Sequence, residues 1–482
     1  MLINNKKYKY KFRLKYVFSD FIKISHFFIE KIDTNWWFLN ASRLDLRQAG
    51  DIDIIKNSKN HDKKSFNFIL KFKNQLNILT FFIFNIFIKK KNLNINKNYL
   101  LAEQIDSQNN NLNTIDYYFK NIFNKKDVHL ISVGLNYDKK NTNEIAIIKL
   151  CNSLDIIICY FDSIKVNLKY KIAKLQIENL DLLEKNFWKY YFRQKETSNN
   201  FKRLFLSKLV LRIFKKKWNY NLNIFYPYEE KPFERALNFA TNTSSNNSVF
   251  AYYGNPQDHH SFFLRKFKKL NIPRPFNFLC AGSYQEEQLK KYNFKKKIMI
   301  IGSDKSEKEI KKNIKYDFLV FISHEIEFET FTNWIKDNEK SYENLRFLIR
   351  LYSQISNFKK NENFKYFEKK KNFFFSNQNF EGDISVSKFS IFSRTSAGPQ
   401  AVNYGCLSIW ADFSLVGSNA LFNHLENFFP SFDKQSFHSN ILKLSKMNKN
   451  EEINFLQFQK NISKKIFSNI DNKLIDNLIK AK

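Results

Sequence analysis

Three short stretches of this chain carry residues that could do chemistry. In "SRTSAGPQAVNYG", Ser393 to Gly405, a guanidinium and hydroxyls follow the apolar run "KFSIF". Arg394, Thr395 and Ser396 would stand at the carboxyl end of a strand. "AGPQAVNY" would then open a helix, with Thr395 or Ser396 as N-cap and Pro399 in the first turn. Gly405 holds the position that ends such a helix. Unpaired N–H groups at a helix start, two hydroxyls and a guanidinium make a receptor for an anion such as a phosphate. The other reading is a capped helix joining two strands. In "YPYEEKPFERA", Tyr226 to Ala236, Glu229, Glu230, Glu234 and Arg235 directly follow another apolar run. Glu234 falls in the first turn of a helix that begins near Pro232, where the helix dipole alone favours an acid. Glu229, just past a strand's carboxyl end, is placed for general-base work. In "YYGNPQDHHSFFLRKF", Asp258, His259 and His260 follow Gly254 and could act as ligands or proton carriers. Adjacent histidines diverge on any regular element, and there is no HxH or HExxH spacing, so no metal is expected. A polar loop is the alternative. No Walker, dinucleotide-fingerprint, serine-hydrolase or zinc pattern occurs.

The elements that would position these residues form a regular series. From residue 222 onward apolar runs, most of them ending in Gly or Ser, alternate with helical stretches: "LNIFYPY", "SVFAYYG", "FNFLCAG", "KKIMIIGS", "DFLVFIS", "NLRFLIRLYS", "KFSIFS" and "CLSIWA". Strand, turn and helix in alternation predict parallel sheet with helices on its faces. Ligands bind such sheets at the carboxyl ends of the strands. All 7 prolines lie between Pro227 and Pro430, so the sharply turned loops belong to the second half. Earlier, "VHLISVGL" (Val128–Leu135) and "LDIIICYF" (Leu154–Phe161) read as strands, and the stretch ending "LVLRIFKKKW" reads as helix. "NWWFLNASRLDLR" precedes a further expected helix. The run "LNILTFFIFNIFI" (Leu76–Ile88) is shorter than the roughly 20 residues of a spanning helix, and a buried strand or helix is expected there.

Composition limits the function classes. With 482 residues the chain should form two domains rather than one. The net charge of +34 would suit a nucleic-acid binder, yet only 12 of the 80 basic residues are Arg, and the lysines spread along the whole chain. The expected reading is a solvated basic surface with no specific nucleic-acid partner and a peripheral contact with anionic lipid. The four cysteines form no CxxC pair, and Cys151, Cys280 and Cys406 lie in or beside apolar runs, which fits a reducing cytoplasm. The first residues show no signal-peptide pattern.

The three stretches, in this order, resemble a family. "YPYEEKPFERAL" is similar to the Y-x-Y-E-N-x-x-W-E-[KR]-A-L element of bacterial surface-carbohydrate biosynthesis proteins, taken to be glycosyltransferases of the GT-B type. "NIPRPFNFLCAGSYQEEQLKKYNF" resembles the family's P-x-P segment before the crossover between domains. "SRTSAGPQAVNYGCLSIWA" resembles its T-S-A donor-side turn. Phe233 stands where Trp is usual, Glu230 where Asn is, and Gln400 where an acid is. The usual K-P-H-P element is replaced by "IRLYSQ", and His259 or His260 stands in for a G-x-x-H histidine after Gly254. The resemblance implies an α/β protein of two Rossmann-like domains facing a cleft, with an acceptor-side domain over residues 1–294 and a donor-binding domain over 295–482. It implies transfer of a sugar from a nucleotide sugar to a glycan or lipid-linked glycan, with no metal and no cofactor beyond the donor. In that scheme Arg394, Thr395, Ser396 and the Gly398 backbone hold the donor phosphate. Glu229 is the acceptor-side base, with His260 as a second catalytic candidate, while Glu234, Arg235 and Gly254 support substrate binding. The expected place is the cytoplasm, peripheral at the inner membrane. A catalytically degenerate carbohydrate-binding or scaffold relative is the alternative.

Overall fold

The computed structural model describes residues 16, 19–20, 22–32, 64–93, 97–103, 122–123, 128–135, 144–185, 188, 200–217, 222–229, 231–241, 248–254, 274–291, 297–323, 325–351, 362–393, 395–413 and 431–480. Its strands form two fully parallel sheets. The first holds β1 (Asn98–Glu103), β2 (Val128–Val133), β3 (Glu144–Ala146), β4 (Asn223–Pro227), β5 (Val249–Tyr253), β6 (Asn277–Cys280) and β7 (Ile298–Ile300), in the spatial order β3-β2-β1-β4-β5-β6-β7. The second holds β8 (Tyr316–Ile322), β9 (Phe347–Leu351), β10 (Phe373–Phe375), β11 (Ser387–Phe392), β12 (Leu407–Ala411) and β13 (Ser431–Phe432), in the order β10-β9-β8-β11-β12-β13. Counted from its own first strand, each sheet begins 3-2-1-4-5-6, the doubly wound Rossmann order. The α/β class and the two Rossmann-like units expected from the sequence are therefore present. The boundary expected at residue 294 precedes β7, which pairs with β6 in the first sheet (Leu279 opposite Met299).

Besides a helical stretch over residues 22–32, the helices of the described residues are α1 (Lys64–Phe87), α2 (Ser153–Gln176), α3 (Asn200–Lys217), α4 (Pro232–Thr241), α5 (Ser283–Lys291), α6 (Glu325–Lys336), α7 (Glu362–Glu368), α8 (Phe380–Ser385), α9 (Ala397–Asn403), α10 (Lys434–Ser445), α11 (Lys449–Ile466) and α12 (Asn472–Lys480). Their starts are written into the sequence. Asn152 accepts from the Asp155 N–H at 2.8 Å while its own N–H donates to Asp155, a capping box that begins α2. Asp433 and Asn448 make the same device at α10 and α11. Both sheets are covered on each face, and their central strands are buried on both sides, which is why they read as unbroken apolar runs.

Two expectations for the first unit change. Leu154–Phe161 is not a strand but the first turns of α2. Its β-branched run satisfies strand propensity, but the Asn152 cap and the burial of Ile156, Cys159, Val166 and Tyr170 along one helical stripe decide for helix. Leu76–Ile88 is helical up to Phe87, but not wholly buried: Ile78 and Phe81 enter the core, while Leu79, Ile83 and Phe87 face solvent. Among the described residues no helix is long and apolar enough to cross a membrane. The "NWWFLNASRLDLR" stretch lies outside the described residues. All four cysteines are buried and free, and burial pushes the Cys151 and Cys159 thiols up to about 12.

The two units share their last helices. α11 packs on α9 and β12 of the second unit and reaches α5 of the first. Residues 466–471 then lie along the strand ends of the first sheet: Ser468 N–H donates to Ala281 O (2.9 Å), Ser303 N–H to Ser468 O (3.0 Å), and Asp471 N–H to Ile301 O (3.0 Å). Gly282 and Gly302 make room for this crossing, because a Cβ at either would land on backbone of Lys465 or Asn469; Gly302 also has φ +85°. α12 closes on the amino ends of β1 and β4, where the Asn98 and Asn223 amides donate to Ile479 O and Leu478 O.

Candidate functional site

In a doubly wound sheet the chain leaves the first and fourth strands in opposite directions, which opens a crevice at their carboxyl ends. Two of the three sequence stretches fall at such points, one in each unit.

In the first unit β1 pairs with β4 (Leu100 opposite Phe225), so Glu103 and the segment after Pro227 end side by side. Lys231 bridges them, with Nζ 2.9 Å from Glu103 and 2.5 Å from Glu229. Glu229 keeps about a fifth of its side chain exposed (20%), so it can meet a ligand. Burial alone would raise the Glu103 carboxyl, but the charge and hydrogen bond of Lys231 prevail and hold it below the usual range. Beneath them Glu234, in the first turn of α4, is 1% exposed. Its Oε2 accepts from the Glu229 N–H at 3.1 Å, and its buried Oε1 has no hydrogen-bond partner among the described residues. Burial pushes this carboxyl up to about 8, against the pull of Lys231 and with the push of Glu229. Glu234 thus holds the backbone that presents Glu229. Arg235 is buried too, at 3% exposure. Gly254 follows β5, and its carbonyl lies 3.5 Å from Gln285 Nε2, which also donates to Ile466 O (3.1 Å). This ties Gly254 to the C-terminal crossing.

In the second unit β11 runs between β8 and β12, and Thr395, Ser396 and Gly398 follow it. Thr395 Oγ1 accepts from the Ala397 N–H at 3.2 Å. Gly398 packs under Phe392, and a Cβ there would enter the ring; its carbonyl accepts from Ser408 Oγ at 2.9 Å. α9 spans only Ala397–Asn403, so its dipole is small. Positive charge comes instead from a residue the sequence reading did not single out. Lys305, on the connection between the sheets, donates to Ser396 Oγ at 2.9 Å. Its backbone is fixed by Asn403 Nδ2 on Lys305 O (2.8 Å), its Nζ lies 5.4 Å from the Phe467 ring centroid, and burial pulls its ammonium below the usual lysine range, Asp304 opposing. Its signal in the sequence was the Gly302–Ser303 turn at the end of an apolar run. Glu103 and Lys231 were likewise missed, since only sheet order brings Glu103 to Glu229. Gln400 has its amide 3.4 Å from the hydroxyl of Tyr404, the residue just past the end of α9.

His260 and Arg394 lie outside the described residues, as do Asp258 and His259. Among the described residues no three His, Cys, Asp or Glu side chains gather to hold a metal ion.

No family model and no curated protein matches the chain. Solved structures similar to it include an α,α-trehalose-phosphate synthase (UDP-forming) from Burkholderia vietnamiensis, at 7% identity over 79% of this chain and 96% of that one, with a TM-score of 0.42. The calicheamicin glycosyltransferase CalG4 is similar at 8% identity over 76% and 94% of the chains (TM-score 0.43). A UDP-GlcNAc 2-epimerase from Neisseria meningitidis, bound to UDP-GlcNAc, is similar at 8% identity over 80% and 98% (TM-score 0.40). Likenesses this faint carry no functional weight; the strand orders above stand by themselves.

Proposed function

We propose that the protein is a glycosyltransferase that uses a nucleotide sugar. The observation that carries this reading is the pair of switch points, each furnished with the chemistry its half would need. Lys305, Thr395 and Ser396 would neutralise the departing nucleotide phosphate, with Arg394 and the Gly398 backbone completing the receptor. Glu229, oriented by Glu234 and flanked by Lys231, would take the proton of the acceptor hydroxyl as the glycosidic bond forms; His260 is the second candidate for that role. The first unit is then the acceptor side and the second the donor side, facing across a cleft. The acceptor is a glycan or lipid-linked glycan of a bacterial surface polysaccharide, handled in the cytoplasm with peripheral contact at an anionic membrane. No metal or cofactor enters this scheme.

The test is calorimetric titration with UDP-, GDP- and CMP-sugars. One of them should bind the native protein, and Thr395→Ala combined with Ser396→Ala, or Lys305→Met alone, should weaken it tenfold or more, since each removes a charged or polar contact of ~1.5–3 kcal/mol. Unchanged binding in both variants overturns the reading. Gln400 favours a second reading: a neutral amide in place of the family's acid suits a non-catalytic carbohydrate-binding or scaffold relative. Binding without sugar transfer in a product assay would select it.

A further inference from the structure

We infer that the outer faces of α1 and α2 form a docking surface for an anionic lipid bilayer. α2 is apolar on two opposite sides. Ile156, Cys159, Val166 and Tyr170 enter the core, yet Leu154, Phe161, Leu168 and Leu175 recur every seventh residue on the solvent side, joined by Ile157 and Ile172. Phe161 is 64% and Leu175 79% exposed. From Leu154 to Leu175 the stripe runs about 32 Å at 1.5 Å per residue. α1 repeats the arrangement with Leu76, Leu79, Ile83 and Ile86 at steps of three and four, ending on Phe87, which is 79% exposed. The two helices touch. Ser153 Oγ donates to Asn85 Oδ1 at 3.1 Å, and the buried Asn85 amide donates to Ile148 O and Cys151 O, so the end of α1 is fixed against the start of α2. A scattered exposed Leu needs no explanation, but a stripe running the length of each of two adjoining helices does.

Charge selects the occupant. Lys165, Lys169 and Lys171 flank the stripe of α2 and are exposed, and Lys89, Lys90 and Lys91 follow α1. The carboxylates on these two helices are few: Asp155 is buried against Arg212 and Lys216, and Asp162 lies 3.9 Å from Lys208. A partner helix would be matched by charges of both signs along the seam. An apolar stripe edged mainly by lysines, with Asp162 the one exposed carboxylate on these two helices, matches acyl chains beneath acidic headgroups. This inference gives a place to the membrane contact included in the proposed function but does not rest on the sugar transfer, and its test reads no nucleotide.

The experiment is co-flotation of the full chain with phosphatidylcholine vesicles, with and without about 30 mol % phosphatidylglycerol. Binding is expected only to the anionic vesicles. Phe161→Ser, Leu168→Ser and Leu175→Ser together should reduce it at least tenfold, since each removes exposed apolar area with little effect on folding. Lys165→Gln, Lys169→Gln and Lys171→Gln should each weaken it about fivefold. Lys365→Gln, Lys369→Gln and Lys371→Gln, exposed on the second unit, should leave it within about twofold, which separates this face from the general basicity. Equal losses from both lysine sets, no loss from the serine set, or no vesicle binding by the native protein overturns the inference. Self-association that the serine set abolishes, without vesicle binding, overturns it in favour of a second copy of the chain.

Discussion

Glu234→Gln should change how stability depends on pH in a predictable direction. An ordinary glutamate carboxyl titrates near 4.5, whereas burial lifts that of Glu234 to about 8 in the fold. Below the lower value both folded and unfolded chains hold the proton, so the group costs nothing. As pH rises through the interval the unfolded chain releases its proton while the folded one keeps it, and stability falls; above the upper value the loss levels off. At ~1.4 kcal/mol per pKa unit, the interval is worth about 5 kcal/mol. The glutamine of this variant cannot titrate, but its amide oxygen can still accept from the Glu229 N–H. The variant should therefore gain on the native protein between about pH 5 and pH 8.5, by on the order of 10 °C in the melting temperature of the first unit. Parallel thermal melts across that range measure it, because the other titrating groups cancel in the difference. A difference that stays flat with pH, or that shrinks as pH rises, would refute the argument that Glu234 is held neutral beneath Glu229.

Gly302→Ala and Gly282→Ala should each destabilise by about 3 kcal/mol or more, since the new methyl meets unyielding backbone and Gly302 has positive φ; limited proteolysis should then cut near residues 467–471 sooner than in the native protein. Asp155→Asn keeps the helix cap but leaves Arg212 and Lys216 without their carboxylate, and urea denaturation should show a loss of about 3 kcal/mol.

The sequence made the second sheet and the later strands of the first legible because glycines and hydroxyls punctuate them: Gly254, Gly282 and Gly302 each stand just past a strand. The early part of the chain is harder to read for a physical reason. α2 carries an apolar stripe on its outer side as well as its inner one, so the two fill each other's gaps and erase the helical period over Leu154–Phe161. The polar clusters near Glu229 and Thr395 were visible as local patterns. Their basic complements, Lys231 and Lys305, were not, because a lysine among 80 basic residues carries no signal until topology brings it to a strand end. The glycines after β6 and β7 looked like strand-end turns and prove to be the seat of residues 466–471.

That seat has a mechanical consequence. The polypeptide passes between the two units twice, outward at residues 301–315 and back at 467–471, and the passages are stitched together by the Ser303–Ser468 and Asp471–Ile301 hydrogen bonds. A single tether would allow rotation in any direction. Two laced tethers restrict the halves more than one would: any rotation of one against the other that pulls the two passages apart has to break the Ser303–Ser468 and Asp471–Ile301 hydrogen bonds.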